Sequence, residues 1–369
     1  RLAPAGHGTP PGRMTTASDL QSQALATATA LAAGFYNAPD VAELERRDIF
    51  ARHWQLIAGV SRLAGSGDHV VSDIAGVPIL VVRGEDGGLR GFVNACRHRA
   101  GPLATCDGRG ARNLRCHYHG WTYGLDGALK AATEMQDAAD FDPASIHLQA
   151  IAIEVWRGLV FAALDPQIAL ADLFAGSEQH LGSRDFSDYR FERSQRYPVA
   201  CNWKVYADNY LEGYHVPHVH PVLNRLLDYR SYVTTTARWH SLQYSPIEGA
   251  GNFYGDGMAL YFYLWPNLML NILPNRLQTN RIVPVGIDRC AVDFDFYYPA
   301  DTSAEALRRN EQDQRFSDEV QAEDAEICAH VQRALASGRY PPGRLNPKRE
   351  NALFHFHELL RDAYRSART

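Results

Sequence analysis

The sequence predicts an α+β protein in which a compact antiparallel β domain precedes a larger domain of strands and helices. Short runs rich in β-branched and aromatic residues fill 55–165, and turn sequences such as Glu85–Gly88 and Leu125–Gly127 separate them. Alternating polarity returns over 230–298, which indicates further strands. Helical periodicity follows that stretch, so the second domain is expected to combine both kinds of element.

The helices of the larger domain follow from local patterns. We predict a mostly helical stretch over 166–220. A long helix is expected to begin near Ser303 and to close before Gly338, and a last helix is expected over 352–365.

The N-terminal region predicts two more helices. Residues 19–33 are rich in alanine, and residues 41–54 place four apolar side chains on one face, namely Val41, Leu44, Ile49 and Phe50. We therefore divide the chain into four parts. They are a leader or disordered tail over 1–18, N-terminal helices over 19–54 that pack on the larger domain, the β domain over 55–165 and the larger domain over 166–369.

The composition excludes several classes of protein. Hydrophobic residues make up 46% of the 369 residues, the net charge is -5 and the pI is about 6.3, so no basic excess indicates nucleic acid binding. No apolar run approaches the roughly 18 residues of a membrane span, and no secretory signal is visible. The six cysteines are more typical of reduced thiols or metal ligands than of disulfides. We expect a cytoplasmic protein.

Two loops of the β domain each offer one cysteine and one histidine. The pairs are separated by seventeen residues and comprise Cys96 with His98 and Cys116 with His119. A structural zinc site uses the same ligand types, but it usually groups its cysteines in one loop and its histidines in another. The mixed arrangement favours a [2Fe–2S] cluster in which one iron takes both cysteines and the other takes both histidines. Cys106 and His117 do not fit the spacing.

A second group of histidines lies in the larger domain. His215 and His220 are too far out of helical register to face one ion, but Pro217 should end the helix just after His215 and let His220 turn back. Glu212 should share the helix face of His215. Two imidazoles with one carboxylate form the arrangement of non-haem Fe(II) oxygenases. The alternative is a set of polar surface histidines. His218 is expected either to contact a metal ligand or to line the pocket.

The carboxylate has to come from elsewhere in the chain. Asp324 falls on a predicted apolar stripe of the long helix, formed by Phe316, Val320, Ile327, Cys328, Val331 and Leu335. A charge on a buried face needs a partner, which is either a metal ion or a buried arginine. Asp318 and Glu323 lie off that stripe and are expected to be solvated.

These motifs carry a resemblance to a known family. Cys-x-His, seventeen residues and Cys-x-x-His-Gly-Trp resemble the Rieske motif of ring-hydroxylating oxygenase α subunits, a motif that stand-alone Rieske ferredoxins share. The segment DNYLEGYHVPHVHP and the EDxxIC pattern at Asp324 follow in family order, and resemble most the branch acting on betaine, choline and carnitine. The resemblance implies a Rieske antiparallel β domain and a helix-grip-like catalytic domain with an antiparallel sheet flanked by helices.

The resemblance also implies cofactors and partners. The cluster would be held by Cys96, His98, Cys116 and His119, and the mononuclear Fe(II) by His215, His220 and Asp324. Electrons from NAD(P)H would come through a separate reductase of flavin or ferredoxin type. They would pass from His119 through Glu212 of an adjacent subunit in a homotrimer to the iron that activates O2. Most members of the family have Asp where this chain has Glu212, and the longer side chain of Glu212 is expected still to reach. Asn209 either holds oxygen, orients a ligand or is an ordinary helix residue.

The sequence leaves the substrate open. Residues 253–265 read FYGDGMALYFYLW, and such aromatic side chains either cage a quaternary ammonium or build the core. Three functions follow from these readings. They are hydroxylation or N-demethylation of a small quaternary amine such as a betaine, ring hydroxylation or O-demethylation of an aromatic acid, and non-catalytic electron transfer or zinc binding. We favour the first.

Overall fold

The computed structural model describes residues 17–226, 231–247 and 253–367, which form two compact units. The smaller unit comprises Arg46–Arg193 with Tyr297–Ala300, and the larger unit comprises the other described residues. Over these ranges every helix is either too short or too polar to span a lipid bilayer. The predicted tail lies outside the described residues except for its last two positions, which begin a 3-10 turn at Ala17–Leu20.

The N-terminal segment is less helical than predicted. A second 3-10 turn at Leu25–Thr27 precedes α1 (Gly34–Asn37) and α2 (Pro39–Leu44), and further helical turns continue to Arg52. The helix over 19–33 was therefore a wrong prediction. Outside its two 3-10 turns the segment runs extended, and Ala30 donates its backbone N–H to the carbonyl of Gly343 at 2.9 Å. Tertiary hydrogen bonds outweigh the alanine propensity, because an isolated helix of this length is marginal in water.

The smaller unit is built on antiparallel strands, as predicted. Its strands are β1 (Gln55–Gly59), β2 (His69–Ile74), β3 (Val77–Arg83), β4 (Leu89–Val93), β5 (Leu114–Arg115), β6 (Thr122–Tyr123), β7 (Leu129–Ala131), β8 (Ala150–Trp156) and β9 (Leu159–Ala163). Six of them pair in the order β1-β9-β8-β4-β3-β2, and β5-β6-β7 form a separate small sheet. Both predicted turn sequences lie between strands. Two short helices follow, α3 (Leu170–Phe174) and α4 (Glu178–Leu181).

The larger unit consists of a sheet with helices packed against it. The strands are β10 (Arg190–Val199), β11 (Val233–Thr236), β12 (His240–Ile247), β13 (Gly257–Leu264), β14 (Leu268–Leu273), β15 (Arg276–Gly286) and β16 (Arg289–Tyr298), in the order β10-β16-β15-β14-β13-β12-β11. The helices are α5 (Trp203–Tyr210), α6 (Val216–Val219), α7 (Leu223–Leu226), α8 (Ala304–Ala336) and α9 (Asn351–Ser366). This arrangement confirms the predicted α+β class.

Helix ends were predicted more accurately than the content of 166–220. Ser303 caps α8 by accepting the backbone N–H of Ala306 at 3.2 Å, which confirms the predicted start. The prediction that 166–220 is mostly helical was wrong at β10, whose residues alternate between exposed and half-buried. Long charged side chains occupy many of its positions, so no apolar alternation reveals the strand in the sequence.

Candidate functional site

The two cysteine–histidine loops of the smaller unit have the same backbone conformation. Ala100 donates its N–H to the carbonyl of Cys96 at 2.9 Å, and Gly120 donates to that of Cys116 at 3.1 Å. Both turns close through a left-handed residue, with φ 54° at Ala100 and φ 74° at Gly120. A Cβ on Gly101 would lie 2.8 Å from the sulfur of Cys116, so the loops can approach each other only around a glycine.

The four side chains of these loops differ in burial. Cys96 and Cys116 are 4% and 3% exposed, whereas His98 is exposed and His119 half-buried. The two imidazole rings lie edge to face with centroids 4.7 Å apart, and Trp121 stacks on His98 at 4.9 Å. This asymmetry fits a two-iron cluster with its cysteine-bound iron inside and its histidine-bound iron at the surface.

The buried sulfurs also have nearby donors. The hydroxyl of Tyr123 lies 3.2 Å from the sulfur of Cys96, and the backbone N–H of Tyr118 donates to the sulfur of Cys116 at 3.4 Å. Burial and the contact with Cys96 raise the pKa of Tyr123, so its hydroxyl keeps its proton for donation. Donors of this kind tune cluster sulfurs. The side chains of Cys106 and His117 are exposed.

In the larger unit, His215, the first of the two predicted metal-binding histidines, lies in a loop and not in a helix. Helix α5 ends at Tyr210, His215 caps the N-terminus of α6, and Pro217 sits in the first turn of α6. The prediction that one helix runs to His215 was therefore wrong. Proline is favoured in a first helical turn, where no hydrogen-bond donor is needed, so Pro217 starts a helix instead of ending one.

Glu212 organises this loop. One carboxylate oxygen accepts the backbone N–H groups of Tyr214 and His215, the latter at 3.0 Å, and the other accepts Nδ1 of His215 at 2.7 Å. The predicted shared helix face does not exist, because both residues lie between helices. Glu212 nevertheless contacts His215 directly and fixes its ring orientation.

His215, His220 and Asp324 come together in the larger unit. One donor atom from each lies within 4.8 Å of the others, and Oδ1 of Asp324 is 3.0 Å from Nε2 of His220 and 3.8 Å from Nε2 of His215. Asn209 donates its side-chain N–H to the same oxygen at 2.6 Å, which favours the ligand-orienting role among its three alternatives. His218 is exposed and was wrongly expected in the pocket.

Both imidazoles are held at Nδ1 by a carboxylate. Glu212 accepts from His215, and Glu323 accepts Nδ1 of His220 at 2.6 Å. An imidazole that donates from Nδ1 keeps a lone pair on Nε2, so two lone pairs face the carboxylate of Asp324. Burial lowers the pKa of His220, but Asp324 and Glu323 outweigh burial and raise it, because the two carboxylates favour a positive charge between them. The set is a cation site by its chemistry, and it fits Fe(II).

Glu323 was missed by the sequence analysis, which expected it to be solvated. The expected apolar stripe of α8 was only partly right, because Cys328 and Leu335 are buried but Ile327 and Val331 are 36% and 42% exposed. The buried face of α8 is largely polar and comprises Ala306, Asn310, Asp313, Ser317, Gln321, Cys328, Gln332 and Leu335. Asp324 continues this face for a different reason than predicted: together with Ser317 and Gln321 it lines a cavity. The EDxxIC pattern was the available signal for Glu323.

We expect Glu323→Gln to weaken iron binding about 10- to 100-fold, because the partner that orients an imidazole ligand and raises its basicity is lost. Titration of the metal-free protein with Fe(II) under anaerobic conditions measures this affinity. Glu326→Gln is the matched control, since Glu326 lies on the same helix with its side chain 80% exposed. Equal affinities in the two variants would contradict the role of Glu323.

A cavity of about 120 Å³ adjoins the three-donor group. Its size is comparable to a cavity that accepts benzene, so it suits a small substrate. Five tyrosines line it: Tyr206, Tyr210, Tyr232, Tyr254 and Tyr261. Only Tyr254 and Tyr261 come from the aromatic run 253–265, whereas Phe262, Tyr263 and Trp265 are buried outside the cavity lining. Three of the five tyrosines lie outside the run that the sequence singled out.

Comparisons with known proteins match both units. A model of the Rieske [2Fe-2S] domain matches residues 53–146, and a model of the ring hydroxylating alpha subunit (catalytic domain) matches residues 186–366. Chloroplastic choline monooxygenase of Arabidopsis thaliana is 32% identical over 88% of this chain and 81% of its own length. The carnitine monooxygenase oxygenase subunit of Escherichia coli (strain K12) is 30% identical over 90% of this chain and 93% of its own length.

Solved structures agree with these matches. A quaternary ammonium Rieske monooxygenase superposes with a TM-score of 0.84 at 26% identity, over 91% of this chain and 96% of that chain. Naphthalene 1,2-dioxygenase from Rhodococcus shares the fold with a TM-score of 0.75 at 21% identity, over 90% and 94% of the two chains. The fold and the two sites thus define an oxygenase with a Rieske cluster and a mononuclear iron. The chain belongs to the family of ring-hydroxylating oxygenase α subunits, which overturns the zinc-binding and electron-carrier alternatives.

Proposed function

We propose that this chain is the terminal oxygenase that hydroxylates or N-demethylates a small quaternary amine. The observation that carries the proposal is the tyrosine-lined cavity that ends on His215, His220 and Asp324. Each tyrosine face that meets a quaternary ammonium contributes about 0.5–2 kcal/mol of cation–π attraction. The resemblance to choline and carnitine monooxygenases supports the same substrate class.

The metal ligands belong to the proposal. Four residues would hold the cluster, namely Cys96, His98, Cys116 and His119, and three would hold Fe(II), namely His215, His220 and Asp324. When bound, these groups supply electrons and open coordination positions for O2. The protein supplies orientation: Glu212 and Glu323 fix the two imidazoles, and Asn209 holds the carboxylate of Asp324.

We also propose a homotrimer in which His119 of one chain approaches Glu212 of the next chain. Two observations support this path: His119 is half-buried beside an exposed His98, and Glu212 contacts His215 directly. Electrons from NAD(P)H would arrive through a separate reductase of flavin or ferredoxin type. The cytoplasm is the proposed compartment, because none of the six cysteines, which all lie within the described residues, forms a disulfide, as suits a reducing environment.

The test is product analysis by mass spectrometry. The iron-loaded protein is incubated with O2, NADH and a surrogate reductase against a panel of quaternary amines and aromatic acids. We expect a demethylated or hydroxylated amine, with no conversion of the acids. Conversion of an aromatic acid alone would overturn the substrate class and leave the metal ligands in place.

A further inference from the structure

The floor of the cavity is a row of side chains from four neighbouring strands. Gln243 of β12 pairs with Tyr261 of β13, Tyr261 pairs with Asn271 of β14, and Asn271 pairs with Gln278 of β15. All four side chains line the cavity. Directly paired residues point to the same face of a sheet, so the row is continuous across the strands.

Hydrogen bonds connect this row to Tyr210 and end at Gln278. Gln243 donates to the carbonyl of Tyr210 at 2.7 Å, and the Tyr210 hydroxyl donates to the side-chain oxygen of Asn271 at 2.8 Å. Asn271 in turn donates to the side-chain oxygen of Gln278 at 3.1 Å. The chain of bonds leaves Nε2 of Gln278 without a partner among the described residues, although Gln278 is only 2% exposed. A buried donor facing a cavity implies an acceptor on the ligand.

A buried ion pair, formed by Arg276 and Asp313, lies next to Gln278. Arg276 is on the same face of β15 and donates from Nη1 to Asp313 at 2.6 Å and to the hydroxyl oxygen of Ser317 at 3.0 Å. The Tyr254 hydroxyl also donates to Asp313, and the guanidinium lies 5.4 Å from the centre of the Tyr254 ring. These contacts hold the guanidinium rigidly, and Ser317 keeps its own hydrogen for donation.

Helix α8 sets the distance between this group and the iron ligands. Ser317 precedes Asp324 by seven residues, which is about 10 Å along the helix axis. The carboxylates of Glu212 and Asp324 therefore lie at one end of the cavity, and N–H and O–H donors line the other end. The carboxylate of Asp313 lies behind those donors, outside the cavity lining, and accepts from Arg276 and Tyr254. Such a cavity favours a ligand whose cationic part and oxygen are separated by a short chain.

We propose that Gln278, Ser317 and Arg276 bind an oxygen of the substrate, a hydroxyl or a carboxylate, and thereby direct its N-methyl groups toward the iron. The inference rests on the proposed function and makes it more specific: the substrate is an amine with an acceptor oxygen a few bonds from nitrogen. An amine without such an oxygen leaves the donor of Gln278 unpaired.

The experiment compares three trimethylammonium compounds as substrates. They are γ-butyrobetaine with a carboxylate, choline with a hydroxyl, and propyltrimethylammonium with neither. The holoenzyme is expected to favour an oxygen-bearing compound over the propyl compound by at least about tenfold in kcat/KM. Gln278→Leu should reduce that preference about tenfold, mainly through KM. Gln55→Leu is the matched control, because Gln55 is a buried amide in the smaller unit, also with an unpartnered Nε2.

Two further variants complete the test. Gln278→Glu keeps the acceptor for Asn271 and adds a negative charge that repels a carboxylate. A greater loss of kcat/KM for γ-butyrobetaine than for choline therefore indicates that this position binds a carboxylate. An equal loss of kcat/KM for the two compounds indicates that it binds a hydroxyl. Ser317→Ala removes a donor with little change in volume and replaces Gln278→Leu if that variant does not fold. If the variants have normal iron content and keep the wild-type preference for an oxygen-bearing amine, the inference is overturned and the proposed function stands. If the wild-type enzyme oxidises none of the three amines, the proposed function fails and the inference falls with it.

Discussion

Replacing Asp324 with alanine is expected to lower the iron content from about three atoms per chain to about two, and to reduce turnover to background. Oδ1 of Asp324 lies 3.0 Å from Nε2 of His220, so the variant removes the anionic member of the three-donor group. Two neutral imidazoles bind a hard divalent cation more weakly than a set that includes a carboxylate. Iron analysis and the visible spectrum of one sample measure both metal sites together.

The matched control is Asp318→Ala. Asp318 lies on the same helix, but its side chain accepts from the hydroxyl of Tyr197 and does not line the cavity. This variant should keep about three irons and its activity. If Asp324→Ala lost the visible absorption of the cluster instead, the assignment of Asp324 to the mononuclear iron would be wrong.

The reciprocal result is expected for Cys116→Ala: loss of the cluster absorption and of about two irons per chain, with about one iron retained. The sulfur of Cys116 is buried beside Gly101 and accepts the backbone N–H of Tyr118. A methyl group offers no electron pair to a metal. Substrate oxidation driven by the reductase should stop, because the electron store is missing.

Cys106→Ala controls for the loss of a thiol from the same domain, since Cys106 is exposed between the two loops. It should keep the cluster and full turnover. Circular dichroism of Cys116→Ala distinguishes cluster loss from unfolding of the smaller unit. A folded Cys116→Ala protein that retained cluster absorption would refute the ligand set.

Both cysteine–histidine loops of the smaller unit could be predicted from the sequence because each is compact. Cys96 with His98 and Cys116 with His119 lie within single turns, where spacing alone decides which atoms meet. The ends of α8 were equally predictable, since capping at Ser303 is a local interaction. Local chemistry of this kind does not depend on distant parts of the chain.

The carboxylates that orient the histidines were harder to predict from the sequence. Glu323 contacts His220 across 103 residues, and apart from the EDxxIC pattern nothing in the local sequence distinguishes it from a solvated glutamate on the same helix. Asp324 was predicted on the correct face of α8 for the wrong reason, because the prediction assumed that a buried helix face is apolar. The buried face of α8 is instead largely polar.

By itself the sequence determined the ligand types, their spacing within each loop and the helices with clear caps, because neighbouring residues decide all of these. Only the tertiary structure decided the path of the alanine-rich segment, the partners of His215 and His220 and the lining of the cavity. The row from Gln243 to Gln278 shows why: its members meet through the register of four strands. Register depends on how the whole sheet pairs, and no short stretch of sequence contains that information.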